Sequence, residues 1–414
     1  MGFANATPPR DDELLPMFSK KSSIYLDHAA ATPMAPAVFD AMKPWLTEEF
    51  GNPSALYASG VRAADAIETA RKQVAEGLFA QPDTIIFTGS GTESANRAIF
   101  GVATGSQPGH IITTQIEHKA VLEPIKQLEK QGWDVTYLEP DVVGMITAKQ
   151  VAAAIKENTR LVSIMYANNE IGTVLPIAEI GREVLKWRKA NNTTFPYFHT
   201  DACQAGPYLD LHAERLHVDL LSLNGSKLYG PKGVGVLYRR RDLKLSPMML
   251  GGGQEFGLRP GTENVAGVVG FAKAFSLVRD DWEKKSEEIA KLRDWFWKKL
   301  SKAVPGVQLN GPEISKESVN RLPNNLHVTF PGADAEACIL YLDAQGLQCS
   351  SGSACTSDSD DVSHVMKAIR KADQATSSIR FSIGKETSKK QLRQAVKLIA
   401  DVVDRLRVIE TKST

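Results

Sequence analysis

The chain predicts an α/β fold built on a mainly parallel sheet and followed by a smaller α+β domain. Three observations carry this. From Thr84 a unit repeats in which a short apolar run ends in a polar cluster and passes into a helix, the pattern of parallel strands joined by crossover helices. Beyond residues 259–264 that pattern gives way to a long charged amphipathic helix and then to strands and helices in no regular alternation. A length of 414 residues also exceeds what one hydrophobic core usually holds, so two domains are expected.

Taken in order, residues 23–27 (SIYLD) read as a short strand and 37–46 as a helix by apolar spacing. The Gly and Pro of FGNPS at 50–54 break that helix before a second amphipathic helix over 60–78. Strands follow at 84–87, 110–114, 161–165 and 197–200. They run respectively into residues 88–94 (TGSGTES), Glu117-His118-Lys119, Asn168-Asn169-Glu170 and Asp201-Ala202-Cys203-Gln204. In parallel α/β sheets ligands bind beyond the carboxyl ends of the strands, and each of these clusters falls there. Residues 218–223 form another buried strand, which stops at Asn224-Gly225-Ser226-Lys227. The strand at 233–239 follows too closely for a crossover and must pair antiparallel. A helix over about 272–304 leads into the second domain, with strands at 325–329 and 378–382 and helices at 335–345 and 389–406. The expected divisions are 1–27, a leading segment that joins the small domain, 28–271 and 272–414.

Forty-nine basic residues against 48 acidic ones leave no electrostatic footprint for nucleic acid or an acidic membrane, so neither is an expected partner. No apolar run has the length of a signal-peptide core or a bilayer span, and the expected address is cytoplasmic. Four cysteines, Cys203, Cys338, Cys349 and Cys355, are too few for a disulfide framework and form no metal-type pair; no metal is expected. Any important cysteine should work as a thiol.

Lys227 is the strongest candidate for chemistry. A lysine ending a buried strand is partly shielded from water, which favours the neutral amine needed for a Schiff base. The turn at 88–94 aims free backbone N–H groups and a helix dipole at its occupant, most simply a phosphate. Asp201, at a strand end near Lys227, needs a cationic partner, and a protonated pyridine nitrogen would serve. His118 closes a strand on the same edge, where an imidazole can stack on a ring and shuttle protons. Cys355 lies in SSGSACTS (350–357), a stretch with almost nothing to pack a core, so its thiol is available as a nucleophile; Cys338 reads as a buried small hydrophobe.

These stretches together resemble the cysteine desulfurases of the nitrogen-fixation and iron–sulfur-assembly type, within the class V aminotransferase family. The resemblance runs from about Ile24 to Leu406 and includes YLDHAAATP (25–33), GTESAN (91–96), EHKAV (117–121), NNEIG (168–172), DACQ (201–204), SKLYGPKG (226–233), RPGTEN (259–264), SSGSACTS and SSIRFSIG (377–384). It implies a homodimer of aminotransferase fold type I, whose large domain carries a mainly parallel seven-stranded sheet, using pyridoxal 5'-phosphate to convert L-cysteine to L-alanine with a persulfide on Cys355. It further implies that Lys227 binds the cofactor covalently, Asp201 pairs with the ring nitrogen, His118 stacks on the ring and Gln204 contacts its hydroxyl. Gly91, Thr92 and Ser226 would face the phosphate, Thr262 would reach it from the other subunit, and Asn169 and Arg380 would take the substrate carboxylate. An iron–sulfur scaffold protein is the implied sulfur acceptor. Ser226 stands where the family usually has His, and Asn224 where it has Ser. A selenocysteine lyase or another β-elimination lyase on this fold, and a non-catalytic sulfur-relay protein, are the alternatives.

Overall fold

The computed structural model describes residues 23–104, 107–314, 320–352 and 363–413, with side chains to residue 409. A short β1 (Ile24–Tyr25) precedes two helices, α1 (Pro36–Thr47) and α2 (Ala58–Gly77). Pro36 opens α1 because its fixed φ and missing N–H suit a first helical turn.

Strand and helix then alternate: β2 (Ile85–Thr88), α3 (Gly91–Ala103), β3 (His110–Thr114), α4 (Lys119–Lys130), β4 (Asp134–Leu138), α5 (Ala148–Ala154), β5 (Thr159–Ser163), α6 (Ile177–Ala190), β6 (Tyr197–Asp201), α7 (Ala213–Leu216), β7 (Leu220–Asn224) and β8 (Gly235–Arg239). Their seven strands form one sheet in the order β2-β8-β7-β6-β5-β3-β4. Only β8 runs against its neighbours, pairing antiparallel with both β2 and β7, as its short connection requires. The inner strands are buried almost end to end because helices cover both faces. β4, with no counterpart in the sequence reading, is one of the two edge strands, and only Leu138 of its DVTYL is buried. Half-exposed residues in so short a run give little apolar signal.

The remaining elements are α8 (Val265–Arg279), α9 (Trp282–Ala303), β9 (Gln308–Leu309), β10 (Asn325–Thr329), α10 (Ala335–Ala344), β11 (Leu347–Gln348), α11 (His364–Ala368), β12 (Ser378–Ser382) and α12 (Lys389–Ser413). An antiparallel sheet of order β12-β10-β9 and the parallel pair β1-β11 organise this part. The single helix expected over 272–304 is two helices, broken at Asp280 and at Asp281, which has φ +52°. Aspartate tolerates the left-handed region better than most residues, because its short side chain can hydrogen-bond locally. Phe271 and Phe275 of α8 pack in the first core, whereas Ile289, Phe296 and Leu300 of α9 pack in the second. The chain therefore changes cores at this break, and residues 272–279 stay with the larger one. Ile24 and Leu26 pack in the second core.

Candidate active site

The carboxyl edge of the large sheet opens into a cavity of about 260 Å³. Lys227 reaches it from the tight turn Gly225–Lys227 that ends β7. Asn224 shapes that turn, since its Oδ1 accepts both the N–H and the hydroxyl of Ser226, each at 3.1 Å. Lys227 Nζ donates to the carbonyl of Ala30, in the small-residue stretch after β1. Gln204 donates through Nε2 to the neighbouring carbonyl of Ala29 at 2.9 Å.

On the opposite side α3 begins with Gly91. Ser90 caps it, accepting the Glu93 N–H at 3.0 Å, and Glu93 Oε2 accepts the Gly89 N–H at 2.7 Å. Gly89 is thus spent inside the turn. Gly91 and Thr92, which line the cavity, carry the first amides of a thirteen-residue helix, and its dipole favours an anion there. Gly91 allows a close approach: a Cβ at this position would lie 2.7 Å from Cys203 Sγ and 3.1 Å from Asn224 Cβ.

Asp201 ends β6 at the floor, its Oδ1 accepting the Cys203 N–H at 2.9 Å. His118 caps α4, and its Nδ1 accepts the Ala120 N–H at 3.0 Å. Burial holds its pKa below the ordinary value despite the opposing charge of Asp201, so the neutral ring is favoured, with its proton on Nε2. Beneath this layer His199 is fixed between Ser163 Oγ at 2.8 Å and Ser222 Oγ at 2.9 Å, and burial drops its pKa to about 4.

Arg380 comes from β12 of the smaller unit and is only 2% exposed. Its Nη1 donates to the carbonyls of Asn169, at 2.9 Å, and Gly352, while Nη2 pairs with Asp27 Oδ1 at 2.7 Å. Nε has no partner among the described residues. A buried guanidinium with one partly exposed carboxylate and an unmet N–H can take a further acceptor, as a carboxylate ligand would be.

The structure thus brings Gly91, Thr92, His118, Asn169, Asp201, Gln204, Lys227 and Arg380 around one cavity. Ser226 is not among its lining residues, and Thr262 is exposed elsewhere on this chain. Cys355 lies outside the described residues. Four further groups belong to the site. Asn224 and Cys203 line it, the latter with its thiol pushed far up by burial. Glu117, fully buried behind His118, accepts the Met165 N–H at 2.8 Å and the Thr114 hydroxyl at 3.0 Å on Oε1, while Oε2 has no described partner. Burial, reinforced by the charge of Asp201, pushes its pKa up to about 8, so it is mostly protonated at neutral pH. His364, at the start of α11, also lines the cavity. Glu117 adjoins His118 in EHKAV and was open to notice, but His364 sits in a segment with no flanking motif to mark it.

Among the described residues no three His, Cys, Asp or Glu group to hold a metal ion, and no helix is long and apolar enough to cross a membrane.

The Aminotransferase class-V family model matches residues 24–394. A cysteine desulfurase IscS of Dictyoglomus turgidum is 43% identical over 392 residues, 94% of this chain and 96% of that protein. A putative cysteine desulfurase IscS 1 of Bacillus subtilis is 44% identical, covering 92% and 99%. Among solved structures, a NifS-like protein superposes with a TM-score of 0.84 at 33% identity, over 92% of this chain and 99% of that one. SspA in complex with cysteine gives 0.75 at 36% identity, over 88% and 100%. The chain thus belongs to the class V aminotransferases and, within them, to the cysteine desulfurases.

Proposed function

We propose that the protein uses pyridoxal 5'-phosphate to take sulfur from L-cysteine onto Cys355, releasing L-alanine, and that it works as a homodimer passing the sulfur to an acceptor protein such as an iron–sulfur scaffold. The observation that carries this is the convergence of Lys227, Asp201, His118 and Arg380, from four separate elements, on one cavity. The residues fit the cofactor: a helix head with Gly91 at its closest point suits a phosphate, and a carboxylate at the floor suits a protonated ring nitrogen. When bound, pyridoxal phosphate supplies an electron sink for the pair left when a bond at the substrate's α-carbon breaks.

The chain's own residues would then divide the work. Lys227 holds the cofactor and moves the proton of the substrate α-carbon on and off its Nζ. Asp201 would keep the ring nitrogen protonated, Gln204 would contact the ring hydroxyl, and Gly91 and Thr92 would face the phosphate, with Thr262 arriving from the second subunit, while the Ser226 hydroxyl is held by Asn224 Oδ1 outside the cavity lining. Arg380 and Asn169 orient the substrate by its carboxylate, and His118 covers the ring. Cys355 thiolate attacks the substrate sulfur.

The test is alanine and persulfide formation from L-cysteine by the purified holoprotein. Lys227→Ala should lose both, whereas Lys232→Ala, altering an exposed lysine outside the cavity, should keep both. Cys355→Ser should bind cofactor normally and lose persulfide. Wild-type turnover by Cys355→Ser would replace this reading with that of a β-elimination lyase.

A further inference from the structure

The face where α9 and α12 lie side by side carries charge that the fold itself does not need. Lys389, Arg393 and Lys397 follow one another at i, i+4 spacing on α12, all exposed, and like charges at that spacing destabilise a helix. Lys389 and Lys390 also open the helix, with no acidic residue in its first turn, so they stand at the end of a helix dipole that favours anions. They are not required to cap it. Ser388 Oγ accepts the Gln391 N–H at 3.2 Å and Gln391 Oε1 accepts the Ser388 N–H at 2.8 Å. None of these four cations makes a side-chain ion pair or hydrogen bond with a described residue.

What gathers the charges is one indole. Trp295 of α9, half-buried, has Lys389 Nζ 5.2 Å, the Arg393 guanidinium carbon 5.8 Å and Lys299 Nζ 6.0 Å from its ring centre. The ring quadrupole attracts each cation but leaves the charge uncancelled. The positive strip is also short. From Lys389 to Lys397 it rises about two helical turns, roughly 12 Å. Exposed carboxylates bound it on the same helix faces: Glu288 seven residues before Trp295, and Asp401 and Asp404 four and seven past Lys397.

From this we infer that the α9–α12 face docks a protein partner through a compact acidic patch on that partner, with Trp295 as the apolar anchor. Such a patch supplies the counter-charge that the fold omits, and Trp and Arg are the residues on which interface energy concentrates. A nucleic-acid duplex or an anionic bilayer extends past the strip and would meet the bounding carboxylates, so neither matches it. Phe296, next to Trp295, packs edge-on against Phe381 at 5.7 Å, so a partner seated here lies behind the strand that carries Arg380. The inference is independent of the reaction proposed above.

The experiment titrates the full-length holoprotein with a soluble peptide of repeated Glu-Ala, a short DNA duplex and phosphatidylserine vesicles, at about 0.15 M salt, where long-range attraction between exposed charges is screened. The peptide should bind and change the indole fluorescence, and Trp295→Phe should abolish that change. Lys389→Gln/Arg393→Gln/Lys397→Gln should bind the peptide about tenfold more weakly. Lys149→Gln/Lys186→Gln/Lys189→Gln removes the same charge from α5 and α6 and should stay within about twofold of wild type. Both triple variants alter exposed positions only. Equal weakening in the two, a fluorescence change that survives Trp295→Phe, or no peptide binding overturns the inference. So does a duplex or vesicle that binds more tightly than the peptide and is lost from the first triple variant, which would assign the face to phosphate polyanions. Alanine formation from L-cysteine, measured on the same samples, tests the reaction separately and should be unchanged in the first triple variant, none of whose positions lines the cavity.

Discussion

Folding changes the charge state of Glu117. Its pKa moves from 4.5 to about 8, chiefly through burial. A carboxyl with a raised folded-state pKa binds its proton more tightly when folded. Its contribution to stability is complete below pH 4.5 and is lost as pH rises through about 8. Gln in its place keeps an oxygen for the Met165 and Thr114 donors and cannot ionise. Glu117→Gln should therefore gain on the wild type by about 1 kcal/mol or more between pH 5 and pH 8.5, since a tenfold difference in proton affinity between the folded and unfolded chain is worth roughly 1.4 kcal/mol. Urea midpoints at the two pH values measure it, and parallel pH curves for the two proteins would refute it. At this scale the sequence told half the story. The strand-end positions of Asp201, His118 and Lys227 follow from where apolar runs stop, so they were legible. The protonation of Glu117 and the hydrogen bonds of His118 depend on what surrounds each ring or carboxyl in three dimensions, and no spacing encodes that.

Elements set how closely the site can pack. At the head of α3 the chain passes so near β6 and β7 that Gly91→Ala would drive a methyl to 2.7 Å from Cys203 Sγ. Overpacking of this kind costs about 1–3 kcal/mol. Gly91→Ala should lower the unfolding midpoint accordingly and weaken cofactor binding, since α3 must shift. Cys203→Ala in the same chain should recover part of the stability loss, but not all, because Asn224 Cβ remains at 3.1 Å. Independent, additive effects in a double-mutant cycle would refute the contact. Regular elements are most legible where burial is continuous: β3, β10 and β12 have the bounds their apolar runs predict. The half-exposed β4 leaves no such mark, and α8 and α9 read as one helix because an amphipathic pattern of charged residues continues through Asp280 and Asp281 although the backbone does not.

For the whole molecule, one surface stands apart. Phe50 at 83% and Leu56 at 98% exposure lie between α1 and α2, close in sequence to exposed Phe39, Leu46, Tyr57 and Val61. Large exposed apolar patches on a soluble chain mark interaction surfaces, and a second copy of the chain is the partner proposed here. Leu56→Asp with Phe50→Asp should halve the mass measured by light scattering. It should also raise the dissociation constant for pyridoxal phosphate, because Thr262 would no longer reach the other subunit's phosphate. A monomeric variant with undiminished cofactor affinity would show that each site is complete within one chain.

The ion pair between Arg380 and Asp27 joins positions separated by 353 residues. Seen from the ribosome, this sets an order of assembly. The large sheet can close, with Lys227 and Asp201 in place, while β12 is still unmade. The carboxylate receptor proposed above appears only when β12 pairs with β10 and Arg380 meets Asp27, made long before it. On the function proposed above, a chain stopped before residue 380 has the residues to hold a cofactor but no anchor for an amino acid, and cannot start to liberate sulfur until β12 is made.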